Sequence, residues 1–272
     1  MKKLFVGIAA GVLAAAMCVS FAACGSSVDA KGIKGEEVTE EEWNAAIDAV
    51  LADDAELTIE YLSKNSNKSE LTMNAGGSTE KLNAKSKMEQ RMTYIQKGAK
   101  QSGKGYYEIS YSGDLEGMAE AMGQQAGVQE GKTELEAYSE VTTDGTHYYA
   151  KDEEGEWTLD EDGDTVIEEL FDEYYMLKYN VKNHYNDYTF SEEHKGYIPA
   201  NYDAEDGDTL YVVKFQNKKL TGVYIESNYT REQDMLEDVM PGTMIMKVEV
   251  EASINIVISY EAKDITLPTV AE

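Results

Sequence analysis

Along this chain the apolar residues recur first at helical spacing and then, for most of the remaining length, at every second position. Thr39, followed three residues later by Glu42, has the spacing of a capping box, in which each side chain accepts a hydrogen bond from the other residue's backbone N–H. This pair predicts a helix that begins after Thr39 and ends near Asp53. Its apolar face consists of Trp43, Ile47, Val50 and Leu51.

Beyond residue 57 the alternation of apolar and polar positions is typical of antiparallel strands that have one buried side and one wet side. Residues 65–67 interrupt the first of these runs and resemble a turn, and Asn217-Lys218 is expected to close a hairpin. The predicted strands cover residues 57–61, 71–73, 82–94, 107–111, 135–141, 148–150, 157–159, 210–215 and 220–225.

The last alternating run is the longest, because every second residue from Met244 to Tyr260 is apolar and the phase never slips. A straight strand of this length would run over ~50 Å at the usual rise per residue, which is well beyond the common length of a strand. We therefore expect this strand to curl, or to bend near residues 251–253.

Two further helices are predicted to interrupt the strands. One spans residues 115–126, where apolar residues fall at helical spacing but three glycines weaken the helix. The other spans residues 165–177, where Thr165 and Glu168 repeat the capping-box spacing. Residues 183–207 are interpreted as a long loop that holds one short strand. Neither a repeat nor an interior linker divides the chain, so the pattern predicts one domain.

The first 23 residues have the order of a secretory signal, with a basic start, an uncharged apolar stretch and small residues before Cys24. The apolar stretch is too short for a resident membrane span. The run Ala22-Ala23-Cys24 resembles the lipobox of bacterial lipoproteins, although Phe21 stands where that family usually has leucine. The resemblance implies cleavage before Cys24 and acylation of its thiol, which predicts an extracytoplasmic protein that is lipid-anchored to a bacterial membrane. The alternative is an ordinary cleaved signal with an incidental cysteine.

Lipidation would divide the chain into four parts. Residues 1–23 are the predicted signal peptide, 24–37 the lipidated cysteine and a flexible tether, 38–268 the single domain and 269–272 a tail. The tether is rich in Gly, Ser, Lys and Glu and would reach ~40 Å when extended. Cys18 would leave with the signal, so the mature chain would carry neither a free thiol nor a disulfide.

The composition is strongly acidic, with 52 Asp and Glu against 24 Lys and Arg and a formal net charge of −28. Such a chain lacks the clustered cations that nucleic-acid binding requires, whereas a cationic protein or cell-wall component would suit it. The sequence contains no zinc-binding histidine pair, nucleophile elbow, phosphate-binding loop or dinucleotide fingerprint. We therefore expect no catalytic residue, no cofactor and no metal ligand.

Two acidic runs have a superficial likeness to calcium-binding loops. In the run from Asp160 to Asp164, the positions that such a loop reserves for Gly and Glu hold Thr165 and Phe171, so a helix N-terminus explains the run better. The run at residues 203–208 is interpreted in the same way. The 19 tyrosines and 12 methionines fit a half-wet or lipid-facing surface, and they also fit an ordinary strand surface and an irregular core.

The acylated cysteine, the helix that begins at Thr39 and the long alternating strands together resemble a family of bacterial surface lipoproteins. The hairpin from Val213 to Leu220 and the ending from Ile258 to Pro268 strengthen this resemblance. It extends over residues 38–268 and is similar to the half-barrel of the lipoprotein-localisation carriers and of the mycobacterial lipid-carrier lipoproteins. The resemblance implies an α+β fold in which one strongly curved antiparallel sheet wraps two or three helices, with a cavity for acyl chains between them. It carries no ligand-binding residue over to this sequence.

Two functions stand as hypotheses. The first is a non-catalytic, membrane-anchored lipoprotein that binds or carries a lipid or another amphiphile between its sheet and its helices. The alternative is an acidic surface module that binds a cationic protein or a cell-wall component. An enzyme acting on wall polymers has no motif in its support, and a transporter's solute-binding protein would need two βαβ lobes that the pattern lacks.

Overall fold

The computed structural model describes residues 28–75, 77–121, 130–142, 145–152, 155–160, 181–204, 209–237 and 239–270. Its helices are α1 (Glu40–Val50) and α2 (Leu115–Ala121), and a 3₁₀ turn covers Tyr185–Asp187. Its strands are β1 (Glu56–Ala75), β2 (Ser78–Lys97), β3 (Lys100–Gly113), β4 (Gly131–Thr142), β5 (Gly145–Lys151), β6 (Trp157–Asp160), β7 (Tyr188–Ser191), β8 (Gly196–Pro199), β9 (Leu210–Gln216), β10 (Lys219–Asp234) and β11 (Met244–Ser259).

The strands of the described residues form one antiparallel sheet in the order β6-β5-β4-β3-β2-β1-β11-β10-β9-β8-β7. The first and the last strand of the chain, β1 and β11, are neighbours at the centre of the sheet. Each belongs to a meander that extends to one edge of the sheet. The sheet is open and curved, and the strands at both edges are only four residues long. Within the described part of the chain, the prediction of a curved antiparallel sheet accompanied by helices is confirmed, and strand greatly exceeds helix.

Strand β1 is unbroken over 20 residues. It pairs with β11 from Thr58 opposite Ser259 to Met73 opposite Met244 without a register shift, and it pairs with β2 along its whole length. The turn predicted at residues 65–67 is therefore wrong, since these residues lie inside the strand. Continuous ladders on both sides of β1 outweigh the local preference of asparagine for turns.

Helix α1 begins as the sequence predicts. Thr39 Oγ1 accepts a hydrogen bond from the Glu42 backbone at 3.3 Å, and Glu42 Oε2 accepts one from the Thr39 backbone at 3.0 Å, so the capping box is confirmed. The helix ends at Val50 instead of near Asp53, because Leu51 already forms its C-cap.

The predicted hairpin and the predicted last strand are also present. Asn217 and Lys218 join β9 to β10, and their positive φ angles of 50° and 59° are those of a tight hairpin turn. β11 keeps a single phase over its 16 residues. Residues 183–207 hold two short strands and not one, because β7 and β8 pair with each other at the sheet edge.

The two later helices of the sequence prediction have different outcomes. The helix predicted over residues 115–126 is described as far as Ala121, as α2. The helix predicted over residues 165–177 lies outside the described residues.

The two sides of the sheet bury different elements. The side that carries the odd-numbered residues of β1 also contacts both helices and is called the helix face; the opposite side is called the charged face. Helix α1 packs at the near end, where β1 begins, and Trp43 is fully buried there with its indole N–H 2.8 Å from the Val181 carbonyl. Helix α2 packs at the far end, where β1 ends.

The buried residues around α1 form the main described core, called the near-end cluster. It comprises Val38, Trp43, Ala46, Ile47, Val50, Leu57, Ile59, Tyr61, Met92, Tyr94, Val181, Tyr197, Val213, Phe215, Leu220, Val223, Ile225, Ile256 and Ile258.

Residues 29–37, called the strap, are packed against the sheet, so the prediction of a flexible tether up to residue 37 is wrong for this segment. Ala30 is fully buried in a cluster with Leu210, Val212 and Tyr224 on the charged face. Further along, the Glu36 backbone N–H donates to the Phe215 carbonyl at 2.9 Å. The segment has the polar composition of a tether, but its few apolar contacts and its backbone hydrogen bonds are enough to keep it bound to the sheet.

Candidate functional site

The helix face of the central strands carries no charged side chain over the described positions named below. In a chain in which 28 % of the residues are charged, the charges of these strands have been confined to the opposite face. An uncharged face is inexpensive to remove from water, whereas a charged one is not. The positions are the odd residues 57–73 of β1, 101–113 of β3 and 131–141 of β4, and the even residues 82–96 of β2 and 244–258 of β11.

Helices cover the two ends of this uncharged face. The near end lies under α1. At the far end Met118 of α2 is buried with Leu71 and Met246, in a cluster with partly buried residues that include Met73, Met235 and Met244. Met118, from the helix predicted over residues 115–126, and Met244 and Met246, from the last alternating strand, thus lie on the same apolar face. Methionine side chains are flexible and fill irregular contacts, so this end of the sheet can adapt its shape.

Between the two ends lies a region that we call the middle stretch. It is centred on residues 63–69 of β1 and includes the residues that face them from β2, β3 and β11. Its apolar members Tyr107, Ile109 and Val250 are 4 %, 7 % and 8 % exposed, yet the near-end and far-end clusters of described residues do not contain them. The middle stretch therefore has apolar side chains withdrawn from water away from α1 and α2.

A line of small, neutral polar side chains runs along β1 through the middle stretch. Ser63, Asn65, Asn67 and Ser69 occupy its odd positions, so they share one side of the strand. The Oδ1 atoms of Asn65 and Asn67 are buried, and no donor among the described residues bonds to either. Buried polar atoms in proteins nearly always have a hydrogen-bond partner, so two neighbouring exceptions call for an explanation.

Tyrosines on the helix face add polar atoms without adding charge. Burial raises the pKa of the Tyr111 phenol on β3 above its ordinary value, and it raises that of Tyr94 on β2 strongly. Both phenols therefore stay protonated at physiological pH. The helix face remains neutral although it carries hydroxyl, amide and phenol groups.

The charged face carries a groove of about 790 Å³ that crosses β3, β2, β1, β11 and β10. Each carboxylate in it already has a cation nearby, at 3.3 Å for Lys64–Glu89, 2.9 Å for Lys132–Glu108, 2.9 Å for Lys31–Glu226 and 3.5 Å for Lys68–Glu251. The groove therefore offers few uncompensated charges to a cationic partner. Such a partner stays a prediction from the net charge. The ionisable residues that line the groove are Lys64, Lys87, Glu89, Glu108, Glu226 and Glu251.

Hydrogen bonds reinforce this pattern on the charged face. The Tyr224 hydroxyl and the Lys31 ammonium both donate to the Glu226 carboxylate, at 2.5 and 2.9 Å, and the pKa of Glu226 is held below its ordinary value chiefly by the bond from Tyr224. The pKa of Glu108 is lowered by the corresponding bond from Tyr106. These carboxylates therefore act as internal hydrogen-bond acceptors.

The other predicted site features are placed as follows. Cys24 lies outside the described residues, as do most residues of the acidic runs 160–164 and 203–208. Within the part of the chain that the structure describes, no group of three or more His, Cys, Asp or Glu side chains is placed to hold a metal ion. A search of the same residues for a helix long and apolar enough to cross a bilayer finds none.

Comparisons with known proteins leave the function to be argued from the site. No protein-family model matches the sequence, and no curated protein is significantly similar to it. A DUF1329 family protein from Desulfovibrio piger aligns at 10 % identity over 84 % of this chain and 94 % of its own, with a TM-score of 0.22. The Salmonella injectisome secretin InvG aligns at 8 % identity over 80 % of this chain and 66 % of its own, with a TM-score of 0.15. Scores of this size carry no functional argument.

Sequence reasoning missed the middle stretch as a site. The signal was present, because odd positions 63–69 are neutral while even positions 64, 68 and 70 are charged. The assumed turn at residues 65–67 hid it, since a turn would have broken the alternation that places Asn65 and Asn67 on one face.

Proposed function

We propose that this protein is a non-catalytic, membrane-anchored extracytoplasmic lipoprotein that binds an amphiphile on the middle stretch of its helix face. The observation that carries the proposal is the uncharged helix face, which extends across five strands of a highly acidic chain. An acyl chain would lie against residues such as Ile109 and Val250, and no charge would have to be desolvated to admit it. The chain would be held at the membrane by acyl groups on Cys24.

The two ends of the helix face support this assignment. Helix α1 is fixed by a fully buried indole, whereas α2 is seven residues long and rests on a methionine-rich cluster. A ligand would enter beside the less firmly packed of the two helices, and the methionines would adjust to chains of different length.

The test places a charge on one face or the other of the same strand. Ala252 and Ser253 are adjacent in β11, and Ala252 lies on the helix face opposite Asn65 whereas Ser253 lies on the charged face opposite Lys64. The chain is prepared without acylation or detergent, and binding of the uncharged fluorescent probe N-phenyl-1-naphthylamine is titrated. We expect Ala252→Glu to weaken binding at least about tenfold, because the buried carboxylate must be desolvated, and Ser253→Glu to bind as the unmodified chain does.

Native mass spectrometry and thermal unfolding complete this experiment. Co-purified lipid on the unmodified chain, reduced in Ala252→Glu, supports the proposal, and unfolding curves show that both variants are folded. Empty spectra together with no probe binding by the unmodified chain contradict it. Equal binding by the two folded variants would contradict the placement on the helix face.

A further inference from the structure

We infer that the amphiphile has an uncharged, hydroxyl-bearing head group, and that Asn65 and Asn67 bind this head group through their side-chain oxygens. The inference rests on the function proposed above and adds the chemical class of the ligand. It is carried by the two buried Oδ1 atoms that lack a donor among the described residues.

The two asparagines are placed as a pair. They are two residues apart in an unbroken strand, so their side chains lie on the same side of the sheet about 6.6 Å apart along β1. Asn67 is held from its other end, where Nδ2 donates to Ser86 Oγ at 3.4 Å. Its Oδ1 is thereby left as the end that is available to a ligand.

The surroundings of the pair alternate between polar and apolar groups. Across β1, Asn65 faces Met88 and Ala252, and Asn67 faces Ser86 and Val250. A polar head between the two amides would therefore have apolar side chains directly beside it, as an amphiphile requires. A polyol or a sugar carries several hydroxyl donors a few ångströms apart and could reach both oxygens at once.

Hydrogen-bond chemistry determines what the head group must supply. An amide oxygen is only an acceptor, so the ligand must bring an O–H or N–H donor. A buried acceptor without a donor destabilises the protein, and a ligand that donates to it removes that penalty on binding. A purely apolar ligand would leave both oxygens unpaired.

The charge distribution of the described strands favours a neutral head group over an ionic one. A phosphate or carboxylate would need a cation. The described helix-face positions of β1, β2, β3, β4 and β11 carry no cation. Arg231 shares this side of the sheet, opposite Val248 of β11, but it is exposed on β10, two strands away from β1. Glu80 shares it on β2, opposite Met73, but it is exposed beyond the middle stretch, so an ammonium group beside the two asparagines would equally lack a carboxylate. Burying an unpaired ion is far more costly than burying a hydroxyl that finds an acceptor.

The test compares four ligands that share a twelve-carbon chain. They are 1-monododecanoylglycerol (neutral, with donors), methyl dodecanoate (neutral, without donors), dodecanoate (anionic) and dodecylphosphocholine (zwitterionic). Each is tested for displacement of N-phenyl-1-naphthylamine from the unacylated chain, below the ligand's critical micelle concentration or, for methyl dodecanoate, below its solubility limit. We expect monododecanoylglycerol to bind about tenfold more tightly than methyl dodecanoate, and the two charged ligands to bind more weakly than monododecanoylglycerol.

The variants Asn65→Leu and Asn67→Leu identify the acceptors. Each should remove most of the preference for monododecanoylglycerol over methyl dodecanoate while methyl dodecanoate still binds. Asn65→Leu should not lower the melting temperature, because it removes a buried unpaired oxygen. Asn67→Leu also loses the long hydrogen bond to Ser86 and should lower it only slightly. Asparagines with a purely structural role would instead destabilise the fold when replaced. Asn228→Leu on the charged face is the matched control and should leave the preference unchanged.

The outcomes separate this inference from the proposed function. Equal binding of the two neutral ligands, or tightest binding of either charged ligand, overturns the head-group inference while the amphiphile site stands. Unchanged preference in both leucine variants overturns the role of the asparagines. No binding of any of the four ligands, nor of the probe itself, contradicts both the inference and the proposed function.

Discussion

At the scale of single residues, Lys214 shows how far context can override a pattern. The alternation Val213-Lys214-Phe215 predicts a lysine that faces water, yet its side chain is 1 % exposed. Its Nζ donates to the backbone carbonyls of Lys31 and Ile33 in the strap, at 2.8 Å each. Burial lowers the pKa of Lys214, the Asp29 carboxylate partly offsets this effect, and the two carbonyls accept the hydrogen bonds of the ammonium. The lysine is a clamp on the strap.

Replacement of this lysine by a residue of similar length should loosen the strap. We expect Lys214→Met to lower the free energy of unfolding by about 1–3 kcal/mol, because two part-buried carbonyls lose their donor. Trypsin should then cleave after Lys31 and Lys34 faster than in the unmodified chain. Urea unfolding and timed proteolysis measure the two effects. Lys85→Met, at an exposed position of β2, is the control, and equal cleavage rates in both variants would contradict the clamp.

At the scale of elements, the strap and β10 depend on each other. Gly222 lies where the strap crosses β10, and a Cβ atom at this position would be 2.8 Å from Ile33 Cδ1 and 3.2 Å from the Ile256 carbonyl oxygen. The close approach of the strap therefore favours glycine, since a larger side chain would have to displace Ile33. In addition, Asn255 of β11 accepts from the Ala30 backbone at 3.1 Å. Three separate strands thus fix a segment that has no regular secondary structure of its own.

A larger side chain at the crossing should displace the strap and spare the sheet. We expect Gly222→Val to accelerate hydrogen exchange at the backbone N–H groups of Ala30 and Glu36, since both are bonded only while the strap is docked. Amides in the paired centre of β1 and β11 should keep their protection. Thr221→Val at the neighbouring position is the control. Unchanged exchange at both strap amides would show that the strap does not depend on Gly222.

Which parts of the fold could be predicted from the sequence depends on how far apart in the chain the interacting residues lie. The capping box of α1, the β9–β10 hairpin and the phase of β11 depend on residues close together in the chain, and the sequence predicted all three. The strap depends on Lys214, Gly222 and Asn255, which are about 180 to 230 residues away from it. No local pattern can report contacts at that separation. The pair Asn65 and Asn67 was missed because the local turn preference pointed the wrong way.

At the scale of the whole molecule, the strap limits where an anchored domain can lie. If Cys24 is acylated, the buried Ala30 lies six positions after it, and six residue steps span at most about 20 Å. The predicted tether would have allowed about twice that reach. In an acylated chain, docking of the strap would therefore bring the sheet close to the bilayer, with the anchor leading to the charged face. The net negative charge of the chain would keep an anchored domain hydrated beside the membrane.

The anchor itself is tested in cells. We expect the chain to incorporate an alkyne-labelled fatty acid and to fractionate with membranes, and Cys24→Ser to abolish both, since the thiol is the acylation site. Cys18→Ser provides the control, because Cys18 lies inside the predicted signal peptide and should not affect labelling. Labelling that survives in Cys24→Ser, or that is lost in Cys18→Ser alone, would contradict attachment at Cys24.

The sequence by itself determined the class of this fold. Apolar residues at every second position specify strands with one buried side, and the short turns between them specify antiparallel pairing. It also determined which side of each strand is neutral. Only the tertiary structure decided that β1 and β11 are neighbours, that the neutral sides of five strands form one face, and that residues 29–37 are part of the domain. These features join residues far apart in the chain, and they arise from burial and hydrogen bonding that exist only after the sheet has assembled.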